Sequence, residues 1–231
     1  HINNCYPTKN YNIRTISRGI DFNFFDPNNV KAQQVELIIK EFNIDYDAIK
    51  ILLAGRITGW KGHKLLLQAI SNIIKKTNHK FEIIFVGPDE NYKLKTSLKN
   101  FANEHNLSKF LHFVGPRNDL NNFYSLADLV ISASTDPEAF GRISVEAQAM
   151  GKFVIASNHG GSVETVKDGE TGYLFENNNS EDLCEKIIDA ISYEKHKSDK
   201  TSEACISHVR EKYSKIKMCE ETIKFYEEVI N

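Results

Sequence analysis

The chain lacks several features that would assign it to a class at once. No apolar run is long enough to cross a bilayer, and no signal peptide is visible. The four cysteines, Cys5, Cys184, Cys205 and Cys219, are scattered with no C-x-x-C pair. Such spacing argues against a disulfide framework or a zinc site and for free thiols in a reducing compartment. Charge of neither sign dominates: 29 Lys and Arg against 31 Asp and Glu leave a net charge of -2. That gives no global basic field for nucleic acid. There is no internal repeat, and only the short ENNNSED loop (176–182) is low in complexity. What remains is ordinary folded material: 231 residues, 41% hydrophobic and 26% charged, enough for one large domain. The first residue is His1 rather than Met, so the chain is expected to be a piece of a longer protein.

The apolar residues come in short runs: KILLAG (50–55), FEIIFVG (81–87), LHFVG (111–115), DLVISAS (128–134) and KFVIAS (152–157). Nearly continuous Ile, Leu, Val and Phe suits parallel strands covered on both faces. Helical patterns lie between them, at 63–76, 97–105 and 119–127, the last behind a candidate Asp119 cap. Ser180, followed by Glu181 and Asp182, is read as the start of another helix. A one-sided pattern of Ile216, Cys219, Ile223, Tyr226 and Ile230 predicts a terminal helix over 214–230. Alternating strands and helices predict an α/β, Rossmann-like doubly wound parallel sheet, forming a single domain over 1–231.

Ligands of such sheets bind at the carboxyl ends of the strands, so the loops leaving the strands carry the search. GRITGWKG (55–62) has neither Gly-Lys-Ser/Thr nor G-x-G-x-x-G. It does put Arg56 and Lys61 beside a helix N-terminus, where cations oppose the dipole. Two readings stand: a pair of solvated cations, or a site whose cations and backbone N–H groups meet a polyanion such as a diphosphate. DPEAFGRISVEAQAMG (136–151) places Glu138 in a loop and Glu146 about one turn into the next helix. Pro137 keeps Asp136 extended, and Gly141 permits a close approach or an unusual turn. If both glutamates were helical, their eight-residue spacing would put them roughly 80° and ~12 Å apart, so the loop is what lets them converge. An acid among Val145, Ala147 and Ala149 suits a ligand contact, such as accepting hydrogen bonds from a ribose diol. In the third loop, NHGGSVETVKDGETGYLF (158–175), the N–H groups at Gly160-Gly161, just before Ser162, are candidates to meet a phosphate or sugar hydroxyl. DGETG is a turn signal.

GRITGWKG, DPEAFGRISVEAQAMGKFVIAS and GGSVETVKDGETGYLF together resemble the carboxyl-terminal, donor-binding half of the retaining glycosyltransferases of family 4. The resemblance runs over roughly 12–230 and implies one half of a GT-B fold. It implies that Arg56 and Lys61 hold a sugar-nucleotide diphosphate and that Glu138, the candidate catalytic residue, contacts the donor sugar. It gives the backbone around Ala139, Phe140, Gly141, Arg142 and Ile143 to the sugar and phosphate, and Glu146 to the ribose hydroxyls. SRGIDFNFFDP (17–27) is similar to the segment that enters this domain, with Arg18 where many members have Asn. The resemblance further implies no cofactor and no metal, and an acceptor glycan or lipid bound by an amino-terminal domain on which the 214–230 helix would pack. Polysaccharide or lipopolysaccharide synthesis, in the cytoplasm or at the inner face of the membrane, is the setting it suggests.

Other candidates are weaker. Asp45-Tyr46-Asp47 imitates a metal-binding Asp-x-Asp but precedes a strand, which favours a turn. His63 and His159 have no partner at metal spacing, so solvated or capping roles are expected. Glu164 suits the first turn of a helix. No G-x-S-x-G elbow occurs. Besides a transferase, two alternatives remain: a non-catalytic sugar-nucleotide-binding module, and a GT-B-type sugar-nucleotide epimerase.

Overall fold

The computed structural model describes residues 13–89, 92–194 and 197–230; Cys5 lies outside them. Six strands form one sheet: β1 (Ile49–Ala54), β2 (Phe81–Val86), β3 (Leu111–Gly115), β4 (Leu129–Ser132), β5 (Val154–Ser157) and β6 (Gly172–Phe175). Every pairing is parallel, in the order β3-β2-β1-β4-β5-β6. Alternation within a strand divides the core in two. Ile51 and Leu53 face the layer of α2 (His63–Lys76), α3 (Tyr92–Glu104) and α7 (Ser180–Ser192). Leu52 and Ala54 face α1 (Ala32–Phe42), α4 (Leu120–Leu126), α5 (Arg142–Ala149) and α8 (Asp199–Lys212). Both faces are covered, so continuous apolar strands are what this architecture requires. It is the doubly wound sheet that the sequence predicts.

The details depart from prediction where local signals compete. Strand β6 is short and lies directly behind the DGETG turn, so its apolar run is inconspicuous. Helices α1 and α8 are not among the predicted elements, and α3 begins earlier than expected. Asp119 occupies a cap position without capping: its carboxylate takes the Nε and Nη2 of Arg117, at 2.8 and 3.0 Å. Helix α7 does start at Ser180 as expected, with Asn179 as its cap, accepting from the N–H groups of Glu181 and Asp182. Asp45 accepts from the Asp47 N–H at 2.9 Å and pairs with Lys80, so the Asp-Tyr-Asp stretch is the expected turn.

Two further helices lie among the described residues: the one-turn α6 (Ser162–Thr165) and the terminal α9 (Lys215–Ile230). No residue of α9 is buried, and Ile216, Ile223, Tyr226 and Ile230 are all exposed. The segment preceding η-turn Pro27–Asn29 reaches the α8–α9 junction through Ile20 N–H to Tyr213 O, 2.9 Å, and Lys215 N–H to Ile20 O, 3.2 Å. This contact sets Arg18 at the edge of the cleft described next.

Candidate functional site

β1 and β4 are neighbours, and the chain proceeds from them to opposite sides of the sheet. A crevice therefore opens at their carboxyl ends, as in other sheets of this order. It holds a cleft of about 590 Å³. Arg56, Lys61, Glu138, Arg142, Ile143 and Glu146, six of the residues singled out in the sequence, line it together.

The 55–62 loop is pinned rather than loose. Ile57 N–H donates to Pro88 O at 3.0 Å, and Trp60 O accepts from Thr135 N–H at 2.7 Å. Gly62 has φ +75°, and a Cβ there would lie 1.9 Å from Ala133 O. Only glycine permits that approach. Lys61 is thereby held over the Trp60 ring, 4.5 Å from its centroid, and ion-paired to Glu138 at 2.7 Å. Ser134 donates a short hydrogen bond to the same carboxylate oxygen of Glu138.

Helix α5 starts at the cleft with no side-chain cap, after Gly141 at φ +76°. From Ile143 to Ala149 every residue is buried. Glu146 is 3% exposed, yet it lines the cleft. Arg142 Nε donates to one of its oxygens at 2.6 Å, and the Tyr124 hydroxyl to the other at 2.9 Å. Burial raises the Glu146 carboxyl above its ordinary range, while Arg142 and Tyr124 pull it back toward ionisation.

Three predicted residues do not line the cleft. Ala139 is exposed, the Phe140 ring packs against Tyr213 with centroids 5.4 Å apart, and Gly141 is buried against Thr165. The glycine pair also behaves otherwise than expected. Gly161 N–H donates to Glu138 O at 2.7 Å, and a Cβ on Gly160 would meet the Glu138 backbone at 2.7 and 2.8 Å. These glycines let two loops touch, and the Gly161 N–H is committed to the protein. His63 is the clearest correction. It is buried, not solvated, stacked edge-on to Phe85, with neither ring nitrogen hydrogen-bonded among the described residues. Burial, with a smaller contribution from Lys61, pushes its imidazole down to about 4. His159 instead meets Ser134 O through Nε2 at 2.7 Å. Glu164 is exposed in the first turn of α6, as expected.

Several lining residues escape the motif search. Pro88, Pro116, Arg117 and Leu120 form the wall beyond β2 and β3. Arg117 is clamped by Asp119 and Glu41 and lies over the Phe123 ring, 5.3 Å from its centroid. The strand-end rule, applied to β3, would have pointed to this loop. Tyr124 carries no local signal, because it lies inside an apolar helix face.

The family model for glycosyl transferases group 1 matches residues 34–211. The chain belongs to this family. Among group 1 relatives, the lipopolysaccharide 1,2-N-acetylglucosaminetransferase of Salmonella typhimurium is 34% identical over 83% of this chain and 51% of its own length. The chain thus spans about half of that relative. The glycosyltransferase of Rickettsia africae superposes with a TM-score of 0.93, at 32% identity, over 100% of this chain and 61% of that one. The carboxyl-terminal domain of a group 1 glycosyltransferase from Francisella tularensis matches with a TM-score of 0.70 at 26% identity, over 85% of this chain and 99% of that one. An Anabaena protein crystallised with UDP-glucose shares the fold, with a TM-score of 0.83 at 22% identity, over 93% of this chain and 57% of that one. These structural neighbours are GT-B glycosyltransferases.

Proposed function

We propose that this chain is the carboxyl-terminal, donor-binding half of a retaining, family 4 glycosyltransferase that moves a sugar from a nucleoside diphosphate to an acceptor glycan or lipid. The observation that carries the reading is the meeting of Arg56, Lys61, Glu138 and Glu146 in one cleft at the β1–β4 switch point. Lys61 and Glu138 touch, at 2.7 Å. A β-phosphate and the sugar bonded to it demand that adjacency: a cation for one and an acceptor for the hydroxyls of the other. Glu146 takes the ribose. Arg56, Lys61 and the open N-terminus of α5 offset the charge that develops on the departing diphosphate, with no metal required. Glu138 orients the sugar, and of the 139–143 stretch Arg142 and Ile143 line the cleft beside it.

The half-length match to the Salmonella relative and the near-complete coverage of the Francisella carboxyl-terminal domain support the domain reading. The exposed apolar stripe of α9 is assigned to packing on an amino-terminal acceptor domain. The lipopolysaccharide relative supports a lipid- or glycan-linked acceptor, and the setting that goes with this reading is the cytoplasm or the inner face of the membrane. Calorimetric titration of this chain with UDP, GDP and ADP, without added metal, tests the core of the proposal. One of the three should bind clearly better than the others. A folded sample that binds none of them saturably refutes it.

A further inference from the structure

Glu146 is an awkward residue for its surroundings. It lies on a helix whose other buried members, Gln148 apart, are small or apolar, and it is 3% exposed. A buried carboxylate is costly unless hydrogen bonds replace its water. Two donors do so, and they differ. Arg142 sits at i-4 on the same helix with its side chain 69% exposed. Water competes for that guanidinium, and a cation preceding an acid by four residues is the less favourable order along the helix dipole. Tyr124 comes from α4, is wholly buried, and donates at 2.9 Å. It sits among apolar neighbours in the core, its ring 5.9 Å from that of Phe25. A phenol in such a place needs a partner for its hydroxyl, and Glu146 is that partner.

We propose that Tyr124 is a positioning residue for donor binding: its hydroxyl fixes the Glu146 carboxylate so that the cleft-facing lone pairs accept from the ribose 2′- and 3′-hydroxyls. The inference rests on the assignment of Glu146 to the ribose. Tyr124 does not touch the ligand. It acts by holding the carboxylate in one rotamer and by keeping it ionised. The charged groups around Glu146 are Arg142 on its own helix and, across the cleft, Arg18, Arg56, Lys61, Arg117 and Glu138. The Tyr124 donor is the one that solvent cannot replace.

Tyr124→Phe removes this hydroxyl at nearly constant volume. The test is calorimetric titration of the native and Tyr124→Phe chains with whichever of UDP, GDP and ADP binds best, and with its 2′,3′-dideoxy counterpart. The substitution should weaken the ribonucleotide about tenfold or more, as expected for a lost hydrogen bond to a charged group. It should leave the dideoxynucleotide unchanged. As pH falls, ribonucleotide affinity should collapse at a higher pH in the variant than in the native chain, because the less supported carboxylate protonates sooner. In a Glu146→Gln background the same substitution should have no further effect. Equal weakening of ribo- and dideoxynucleotide would mean a merely structural role and overturn the inference. So would native affinity with a native pH profile. A native chain that binds nucleotide but ignores the ribose hydroxyls overturns the Glu146 assignment itself, and this inference with it.

Discussion

The two glutamates of the cleft are eight positions apart in sequence and live in different environments. Glu146 belongs to a helix buried from Ile143 to Ala149, and its carboxylate is shared between a phenol and a guanidinium. Glu138 belongs to a loop. Its side chain is 12% exposed and engaged by Lys61 and Ser134. One acid is fixed by the core, and the other is held by neighbours that a ligand can draw away. The contrast suits two parts of a donor: a ribose common to nucleotides, read by a rigid group, and a sugar read by an adjustable one.

The largest effect is expected at Gly62. Its φ of +75° disfavours any side chain, and a Cβ would lie 1.9 Å from Ala133 O. Gly62→Ala should cost roughly 4 kcal/mol of stability, combining backbone strain with overpacking. Urea unfolding measures it; a loss under 1 kcal/mol would show that the loop is not pinned against β4 as described. Nearby His63 gives a pH signature. Its imidazole titrates at about 4 instead of 6.5, so the folded state resists a proton that the unfolded state accepts. Stability should therefore fall as pH drops from about 6.5 to about 4, by about 3 kcal/mol, and level off below. His63→Leu should flatten that window relative to the native chain. Parallel curves for the two would mean that the imidazole is hydrated.

Much of this was legible in sequence, for identifiable reasons. The sheet announced itself because parallel strands covered on both faces are apolar throughout, and α2 was bounded correctly because its apolar period runs unbroken from His63 to Lys76. Strand β6 was not legible, being four residues behind a turn. Within the cleft, the residues on motif loops were found, since the strand-end rule pointed to them. Tyr124 was not, because its hydroxyl meets Glu146 from another helix, 22 positions away in sequence, a contact that no local pattern encodes. His63 misled for a related reason: a polar residue at a helix start usually meets water, but here β2 supplies Phe85 to cover it.

Glu146→Ala addresses the rigid end directly. Its loss should weaken the bare nucleoside diphosphate by about one to two decades, the worth of a charged hydrogen bond of roughly 1.5–3 kcal/mol. The carboxylate is buried, so the variant also leaves Tyr124 without its acceptor, and thermal unfolding must accompany the titration. Unchanged nucleotide affinity in a folded variant would remove Glu146 from the ribose.

Glu138→Ala should show the smallest change in the same titration. The assignment gives Glu138 to the sugar, which a bare nucleotide lacks, so no direct contact is lost. The variant also releases Lys61 from its 2.7 Å ion pair. That cation is then free to face the diphosphate, so affinity should stay within about half a decade of native, well under the effect of a lost charged hydrogen bond, and, if it moves, should rise. Preference for the sugar-bearing donor over the bare nucleotide should disappear in the variant. The decisive comparison is thus the ratio of the two affinities. If Glu138→Ala weakens the bare nucleotide as much as Glu146→Ala does, the two carboxylates act as one unit, and the division between a rigid ribose end and an adjustable sugar end is wrong.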